Sequence, residues 1–389
     1  MYKILKLNKI AAEGLAVFPV DNYEAGTEIS DPDAILLRSF KMHDLELGGR
    51  LLAVGRAGAG VNNIPIEKCS QKGVVVFNTP GANANAVKEL VLAGLFLSSR
   101  DIFGGMVYAQ SIKSSGDDVP VLVEKNKGEY AGIEIAGKTL GVVGLGKIGV
   151  MVANAACQLG MKVIGYDPFI SVESAWGLSS EVVRADGLDS LLAKSDYLSL
   201  HTPLNDATKS MLNEDKFKIV RKGVRILNFS RGGIVDNKAL LKAVDGGIVN
   251  KYVTDFPEAE LLGNDKIVVI PHLGASTDEA EINCAVMVSQ QLKDFIEYGN
   301  IVNSVNYPNA KLEQSSPFRL VIMNKNIPNM VGQISTILAD AGVNISEMLN
   351  KSKGEYAYNI IDVENELPDE LLTRIKSIQG IIKVRFIRF

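Results

Sequence analysis

Three glycines and one aspartate carry the clearest chemical signal in this sequence. Gly144, Gly146 and Gly149 follow an apolar run in G-x-G-x-x-G spacing, and Asp167 comes 18 positions after the last of them. In a strand–turn–helix unit, such glycines permit a tight turn, close approach of the backbone to a pyrophosphate, and close helix–strand packing. The aspartate accepts hydrogen bonds from a ribose diol, while the helix N-terminus binds phosphate. The stretch predicts a dinucleotide site that prefers NAD to NADP; a glycine-tolerant turn without ligand is the alternative.

Acid–base chemistry on a small anion is the second possibility. Arg231 is followed by two glycines that let a ligand approach, and arginine suits bidentate binding of a carboxylate. His272 follows a proline, and an imidazole titrates near neutrality, which makes it a candidate proton acceptor. Glu260 lies between them in the sequence, and a carboxylate beside an imidazole stabilises the imidazolium. Each residue alone has an ordinary structural explanation, so only their shared position at strand ends favours catalysis.

Parallel strands must position these residues. Apolar runs at 140–143, 197–200, 224–229, 251–254 and 267–270 alternate with helical segments. This alternation predicts an α/β fold with a doubly wound parallel sheet. Ligands bind such sheets at the carboxyl ends of the strands, which is where the candidate residues stand.

The overall composition excludes several classes of protein. The chain has 389 residues, of which 47% are hydrophobic and 22% charged, with a formal net charge of −4. These values predict two or three globular domains with no basic surface for nucleic acid or an anionic membrane. Cys69, Cys157 and Cys284 are widely spaced, which argues against a disulfide framework or metal cluster. With no membrane-length apolar run and no signal-peptide core, we expect a cytoplasmic protein without metal, nucleic-acid or membrane partners.

Composition shifts divide the chain into predicted domains. A βαββαβ pattern at the C-terminal end predicts an antiparallel sheet covered on one face by two helices. A polar, proline-containing segment before it predicts a linker that lets this module move. The predicted parts are a smaller flavodoxin-like α/β substrate domain (1–95 with 278–305), a Rossmann domain (96–277) containing an irregular stretch at 102–127, the linker (306–317) and the C-terminal module (318–389).

Six motifs, in order along the chain, resemble those of the D-isomer-specific 2-hydroxyacid dehydrogenases. They are GRAGAGVNNI at 55–64, NTPGANANAVKEL at 78–90, GLGKIG at 144–149, HTPL at 201–204, NFSRGGIVD at 228–236 and PHLGAST at 271–277. The C-terminal module resembles ACT domains, so the resemblance covers nearly the whole chain. It implies a NAD-dependent oxidoreductase that acts on a D-2-hydroxyacid.

The resemblance implies a catalytic triad of Arg231, Glu260 and His272. The histidine would take the C2 hydroxyl proton, the glutamate would stabilise the imidazolium, and the arginine would hold the substrate carboxylate. The family's D-V-F-x-x-E-P pattern stands here as DFPEAEL at 255–261. Matching its aspartate gives Glu260 as the acid, whereas matching its phenylalanine gives Glu258. Cofactor contacts are expected at Gly144, Gly146, Lys147, Ile148, Gly149, Asp167, His201, Thr202, Pro203, Ser230, Asp255 and Gly274.

A phosphorylated substrate is implied by Arg38 and Ser39, which match the family's phosphate-contacting pair. The expected reaction is oxidation of D-3-phosphoglycerate to 3-phosphohydroxypyruvate, which would feed serine synthesis. Glyoxylate, hydroxypyruvate or phosphoerythronate are alternative substrates, and a non-catalytic NAD-sensing protein is the alternative from another class. Intact Arg231 and His272 favour an enzyme. Further substrate contacts are expected at Gly58, Asn83 and Lys127, the last having the alternative of a solvated surface charge.

Regulation by an amino acid is implied by the C-terminal module. ACT domains pair side by side and bind amino acids at the paired interface, near the first loop and first helix. Asn326 and Asn344 match asparagines that hold serine in related dehydrogenases, although Asn324 and Asn329 replace the usual histidine and glycine. An amide offers both a donor and an acceptor. The resemblance implies a homodimer or homotetramer and weak feedback inhibition by L-serine, with a purely subunit-joining module as the alternative.

Overall fold

The computed structural model describes residues 1–389 and divides into two compact units. The first contains residues 1–83 and 278–389, and the second contains residues 84–277. The boundary expected at residue 95 therefore falls inside the second unit. The reason is the apolar face of the helix at 84–99, where Val87, Val91 and Leu95 are buried in the core of that unit.

The N-terminal part of the first unit is a five-stranded parallel sheet. Its spatial order, β2-β1-β3-β4-β5, is the flavodoxin-like order, which confirms the predicted fold class. Buried apolar residues fill both faces, as parallel sheets require. The elements are β1 (Tyr2–Leu7), α1 (Ala12–Leu15), β2 (Tyr23–Gly26), β3 (Ala34–Leu37), β4 (Ala53–Arg56), α2 (Ile66–Gln71) and β5 (Val75–Phe77).

The second unit holds a seven-stranded parallel sheet. The chain adds its first strands toward one edge of this sheet and the remaining strands toward the other edge. The helices are α3 (Ala84–Ser99), α4 (Ile102–Ser111), α5 (Val119–Asn126), α6 (Lys147–Gln158), α7 (Val172–Trp176), α8 (Leu188–Lys194), α9 (Glu214–Ile219) and α10 (Asn237–Asp245). The strands are β6 (Thr139–Val143), β7 (Lys162–Tyr166), β8 (Val183–Arg184), β9 (Tyr197–Leu200), β10 (Val224–Asn228), β11 (Val249–Thr254) and β12 (Ile267–Val269). Their order is β12-β11-β10-β9-β6-β7-β8, so the predicted doubly wound sheet is confirmed.

Residues 101–130 form a helical arm, which we define as α4, α5 and the short 3-10 turns Lys113–Asp118 and Lys127–Tyr130. The arm holds together through its own contacts, including Tyr108 stacked on Tyr130 with ring centroids 5.4 Å apart. Neither helix has a buried residue. Without a buried face these helices lack the apolar periodicity that sequence reasoning needs, which explains why this stretch was expected to be irregular.

The C-terminal module has the predicted βαββαβ order. Its antiparallel sheet runs β14-β15-β13-β16, and its two helices pack on one face over Leu320, Ile322 and Ile361. It follows the long helix α11 (Asp278–Tyr298) of the first unit. The elements are β13 (Phe318–Lys325), α12 (Met330–Asp340), β14 (Ile345–Lys353), β15 (Tyr356–Val363), α13 (Asp369–Lys376) and β16 (Ile381–Arg388).

The other face of this sheet is buried in the core of the first unit. Val321, Tyr358 and Ile360 belong to one apolar cluster with Phe77 and Leu292. Along each strand, side chains that face this core alternate with side chains that face the two helices, because successive residues of a strand point to opposite faces. The module is therefore an integral part of the unit.

The expected mobility of residues 306–317 is wrong. Tyr307 and Ala310 are buried, and the Tyr307 hydroxyl donates to the carbonyl oxygen of Ser70 at 2.9 Å. Ser315 donates to the Asp362 carboxylate through both its backbone N–H and its hydroxyl, at 3.0 Å each. A polar composition suggested a solvated linker, but these contacts order the segment.

The C-terminal module also caps α11. The last carbonyl groups of a helix lack partners inside the helix, and here side chains from two strands supply them. Arg385 donates to the carbonyl oxygens of Phe295 and Ile296, at 3.1 and 2.7 Å. Arg319 donates to Tyr298 at 2.9 Å. Positive charge at a helix C-terminus also complements the helix dipole.

No single helix is long and apolar enough to cross a membrane. The helices α3 and α4 meet that criterion only as a pair, and the chain bends by 69° between them.

Candidate active site

The glycine-rich turn after β6 leaves no room for side chains at two of its three glycines. Gly144 has a φ of 91°, and a Cβ there would lie 2.5 Å from the carbonyl oxygen of His201. A Cβ on Gly149 would lie 1.9 Å from the carbonyl oxygen of Gly144. Gly146 faces open space and caps α6, whose first N–H groups have no side-chain partner. These free donors fit a pyrophosphate.

Asp167 lies at the end of β7, against the same turn. Its carboxylate accepts hydrogen bonds from the N–H groups of Leu145 and Phe169, both at 2.8 Å. A carboxylate has about four acceptor sites, so ribose hydroxyls can still donate to it. His201 shares a 2.8 Å hydrogen bond with Ser199, and burial lowers the pKa of His201 to about 4. His201 is therefore uncharged at neutral pH.

Two buried polar atoms at the strand ends have no partner, namely Thr202 Oγ1 and Asp255 Oδ1. Asp255 is 1% exposed, and its other carboxylate oxygen accepts the Gly274 N–H at 3.0 Å. Burial raises the pKa of Asp255. Since buried polar atoms are normally hydrogen-bonded, these two atoms point to a polar ligand. A carboxamide such as that of nicotinamide offers the donors and acceptor they need, so the residues fit NAD.

Two polar residues that sequence reasoning missed position the loop after β10. The Asn228 side chain donates to the carbonyl oxygen of Arg231 at 2.9 Å and accepts from the Ser230 N–H at 3.2 Å. Thr254 Oγ1 donates to the Asn228 carbonyl at 2.9 Å. The Ser230 hydroxyl donates to the carbonyl oxygen of Thr202 at 3.1 Å, which ties two loops together. Polar residues at the ends of buried apolar strands were the signal available in the sequence.

Arg231 and His272 lie close enough to Asp255 to act on it electrostatically, and both oppose the effect of burial on its pKa. His272 has a φ of 36°, and its N–H donates to the Asp255 carbonyl at 2.9 Å. Its ring centroid lies 5.0 Å from that of Phe256. Arg231 and His272 are both exposed. The fold thus brings a guanidinium and an imidazole to one sheet edge, beside the dinucleotide turn.

The structure separates the two candidate glutamates. Glu260 lies in a 3-10 turn and lines a recess with Val244, Asp245 and Lys266; no hydrogen bond joins it to His272. Glu258 instead lies beside Gly232, where its Oε1 is 3.5 Å from a Cβ placed on that glycine. The carboxylate next to the Arg231 loop is therefore that of Glu258, and the expected placement of Glu260 beside the imidazole is not found. Leu261, the last residue of this 3-10 segment, is buried in the core of the unit.

Comparison with known proteins decides the family. Residues 108–274 match the model for the D-isomer specific 2-hydroxyacid dehydrogenase, NAD binding domain. The chain is 33% identical over 334 residues to the D-3-phosphoglycerate dehydrogenase of Methanocaldococcus jannaschii, covering 83% of this chain and 60% of that relative. It is also 33% identical to the Bacillus subtilis enzyme of that name, covering 79% and 59%. Residues 108–274 thus belong to the NAD-binding domain family of the D-isomer-specific 2-hydroxyacid dehydrogenases.

Solved structures agree with this assignment. The NAD+-bound 3-phosphoglycerate dehydrogenase of Entamoeba histolytica matches with a TM-score of 0.59 and 27% identity, covering 78% of this chain and 98% of that one. A glyoxylate reductase from Paecilomyes thermophila matches with a TM-score of 0.62 and 25% identity, over 78% and 98%. The chain spans about three fifths of the length of the first two curated relatives. The predicted family, fold class and NAD cofactor are confirmed.

In the first unit, the predicted phosphate-contacting residues follow β3. Arg38 forms an ion pair with Glu281, and Ser39 is exposed. Gly58 has a φ of 153°, a backbone conformation that favours glycine, and it lies beside the guanidinium of Arg56. Further substrate contacts were expected at Asn83, which is partly buried, and at Lys127, which lies on the helical arm in an ion pair with Glu124.

The two candidate regulatory asparagines lie at opposite ends of β14. The Asn326 side chain donates to the carbonyl oxygen of Gly354 at 3.2 Å, just beyond the end of β14. The Asn344 side chain donates to Glu364 at 3.2 Å, just before β14 begins. Nine extended residues separate them, which is about 30 Å. One copy of the module therefore does not bring them together.

Proposed function

We propose that this dehydrogenase oxidises D-3-phosphoglycerate to 3-phosphohydroxypyruvate, the first step of serine biosynthesis. The observation that carries the proposal is the grouping of Arg231, Asp255 and His272 at strand ends beside the NAD turn. The names of the curated relatives support the choice of substrate. All three cysteines are free thiols, which suits the reducing cytoplasm where we place the reaction.

The side chains of the site divide the chemistry among them. NAD, when bound, supplies the acceptor for the hydride that leaves C2 with its electron pair. Arg231 holds the substrate carboxylate and polarises the forming carbonyl, because its guanidinium matches a carboxylate in bidentate geometry. His272 takes the C2 hydroxyl proton as the C2–H bond breaks. Glu258 stabilises the resulting imidazolium, which lowers the barrier to that proton transfer.

The proposal is tested by following NAD reduction with a series of D-2-hydroxyacids. D-3-phosphoglycerate should give the highest kcat/KM, ahead of D-glycerate and 4-phospho-D-erythronate. A preference for D-glycerate, or for glyoxylate in the reverse direction, would contradict the phosphorylated substrate. Absence of turnover with every acid, together with tight NADH binding, would instead favour a NAD-sensing protein.

Exchange of each glutamate for glutamine assigns the triad acid. Glu258→Gln should move the acidic limb of the kcat/KM profile to lower pH by about one unit, because loss of the neighbouring anion disfavours the imidazolium. The matched variant Glu260→Gln should leave the limb in place, since Glu260 faces the recess beside Lys266. The reverse pattern would restore Glu260 to the triad.

We also propose that the helical arm joins two copies of the chain. Phe103, Met106 and Val121 are 68%, 63% and 67% exposed, which is an unusual concentration of apolar surface for a monomer. A second copy offers the same apolar surface, so a two-fold contact buries both. Sedimentation should give a dimer or a multiple of it, and Phe103→Glu with Val121→Glu should shift it toward monomer.

Inhibition by L-serine is our proposal for the C-terminal module. The exposed strand β14 is an edge of its sheet. Antiparallel pairing of β14 with β14 of a second copy brings Asn344 of one copy against Asn326 of the other. Two amides from different copies can hold an amino acid through its carboxylate and ammonium groups. This arrangement supports a site that exists only in the paired form.

Titration of L-serine into the assay should reduce the rate at millimolar concentration. Asn344→Ala should weaken this inhibition about tenfold, because it removes a hydrogen bond to a charged group worth about 1.5 kcal/mol. Thr373→Ala, an exposed position on α13, serves as the control and should behave as the parent chain. No inhibition at millimolar serine would leave the module as a subunit-joining element.

A further inference from the structure

An ion pair in the first unit engages the predicted phosphate-binding arginine. Arg38 directly follows β3, and its Nη1 pairs with Oε1 of Glu281 in the first turns of α11. The two side chains are 39% and 47% exposed. A dissolved anion can therefore reach either group. The guanidinium already has a carboxylate partner, which the expected phosphate must replace.

The backbone under Arg38 is fixed by side chains from other elements. Asn8 Oδ1 accepts three consecutive N–H groups, those of Arg38, Ser39 and Phe40, at 3.0, 3.0 and 2.9 Å. The carbonyl oxygen of Arg38 accepts Arg56 Nε at 3.0 Å and the Asn63 amide at 3.2 Å. With the backbone held on both sides, exchange of partners at Arg38 involves only its side chain and that of Glu281.

Charge decides the effect of Glu281 on an incoming anion. Inorganic phosphate and phosphate esters carry about −1.5 to −2 charges at neutral pH, so they compete well for a guanidinium and are repelled by a nearby carboxylate. A displaced Glu281 remains in the first turns of α11, where the helix dipole stabilises negative charge. The exchange is therefore reversible, and it reduces the net affinity for phosphate.

We propose that Glu281 is a specificity-determining residue that competes with the substrate phosphate for Arg38. This inference rests on the proposed function, because that function places the phosphate at Arg38. Glu281 occupies the guanidinium in the free enzyme and sets the concentration at which a phosphate ester replaces it. A residue that only positioned Arg38 would have the opposite effect, since its removal would weaken phosphate binding.

Direct binding of inorganic phosphate to the full chain, measured by calorimetry, tests the proposal without turnover. Glu281→Gln should bind phosphate about two- to fivefold more tightly, the size expected when an exposed ion pair is removed. It should lower KM for D-3-phosphoglycerate by a similar factor and leave kcat and the KM for NAD unchanged. Glu279→Gln, in the same helix turn but without an ion pair to Arg38, is the matched control and should behave as the parent chain.

Arg38→Met shows whether the inorganic phosphate measured by calorimetry binds at this site. It should abolish the phosphate binding that Glu281→Gln strengthens. Unchanged or weaker phosphate binding by Glu281→Gln would overturn the competing role, as would phosphate binding that survives Arg38→Met. Failure of the parent chain to oxidise D-3-phosphoglycerate, with tighter phosphate binding by Glu281→Gln, would count against the proposed function alone.

Discussion

Replacing His272 should reduce kcat by about 10²- to 10⁴-fold while NADH binding stays close to that of the parent chain. General base catalysis contributes a factor of this size, and His272 is the group that takes the proton in the proposed mechanism. His272 hydrogen-bonds the expected cofactor residue Asp255 only through its backbone N–H, which the variant keeps. NADH fluorescence titration measures binding, and steady-state kinetics measures turnover.

The choice of variant matters because His272 has a φ of 36°. A non-glycine residue in this region is strained, and asparagine tolerates it better than alanine does. His272→Asn therefore removes the proton acceptor with less disturbance to the loop than His272→Ala. His43→Asn, an exposed position in the first unit, is the control. Near-normal turnover by His272→Asn would remove this histidine from the mechanism.

Replacing Arg319 by methionine should reduce the free energy of unfolding by about 3–5 kcal/mol, the usual cost of leaving one member of a buried pair alone. Arg319 and Asp362 are both fully buried, and Arg319 also donates to the carbonyl oxygens of Tyr298, Leu312 and Glu313. The variant leaves the buried Asp362 carboxylate without its cation, and it removes the hydrogen-bond donor of the three carbonyl oxygens. Urea denaturation measures the loss.

Two further variants separate this explanation from general disruption. Arg319→Met with Asp362→Leu should be more stable than Arg319→Met alone, because no unpaired charge stays buried. Arg388→Met breaks the exposed pair with Glu366 and should cost less than about 1 kcal/mol. Equal losses in Arg319→Met and Arg388→Met would contradict the burial argument.

The same pair predicts a pH dependence of stability. Burial alone raises the pKa of Asp362, but hydrogen bonds from Arg319 and Ser315 hold that pKa below its ordinary value. A carboxylate with a lowered pKa in the folded state contributes stability above its unfolded pKa of about 4 and loses it as the pH falls through the folded value. Stability measured from pH 7 to pH 3 should therefore fall more steeply in the parent chain than in Arg319→Met with Asp362→Leu.

The sequence contained enough to predict the NAD turn and the strand ends. Gly144, Gly146, Gly149 and Asp167 lie in one local segment, where spacing alone fixes a strand, a turn and a helix. Arg231 and His272 follow buried strands, and parallel strands bring their carboxyl ends to one edge. The antiparallel module could be predicted equally well, because its apolar residues recur at the spacings that are typical of strands and helices.

Only the tertiary structure showed where the two glutamates lie and how the C-terminal module is held. Glu258 and Glu260 are two positions apart, yet Glu260 lines a recess with Lys266 while Glu258 lies beside Gly232. The segment at 306–317 has the composition of a flexible linker, yet Tyr307 is buried and bonded to Ser70. Local sequence determines periodicity and turns. Contacts between residues far apart in the chain depend on packing and charge pairing in the folded state, which no local pattern contains.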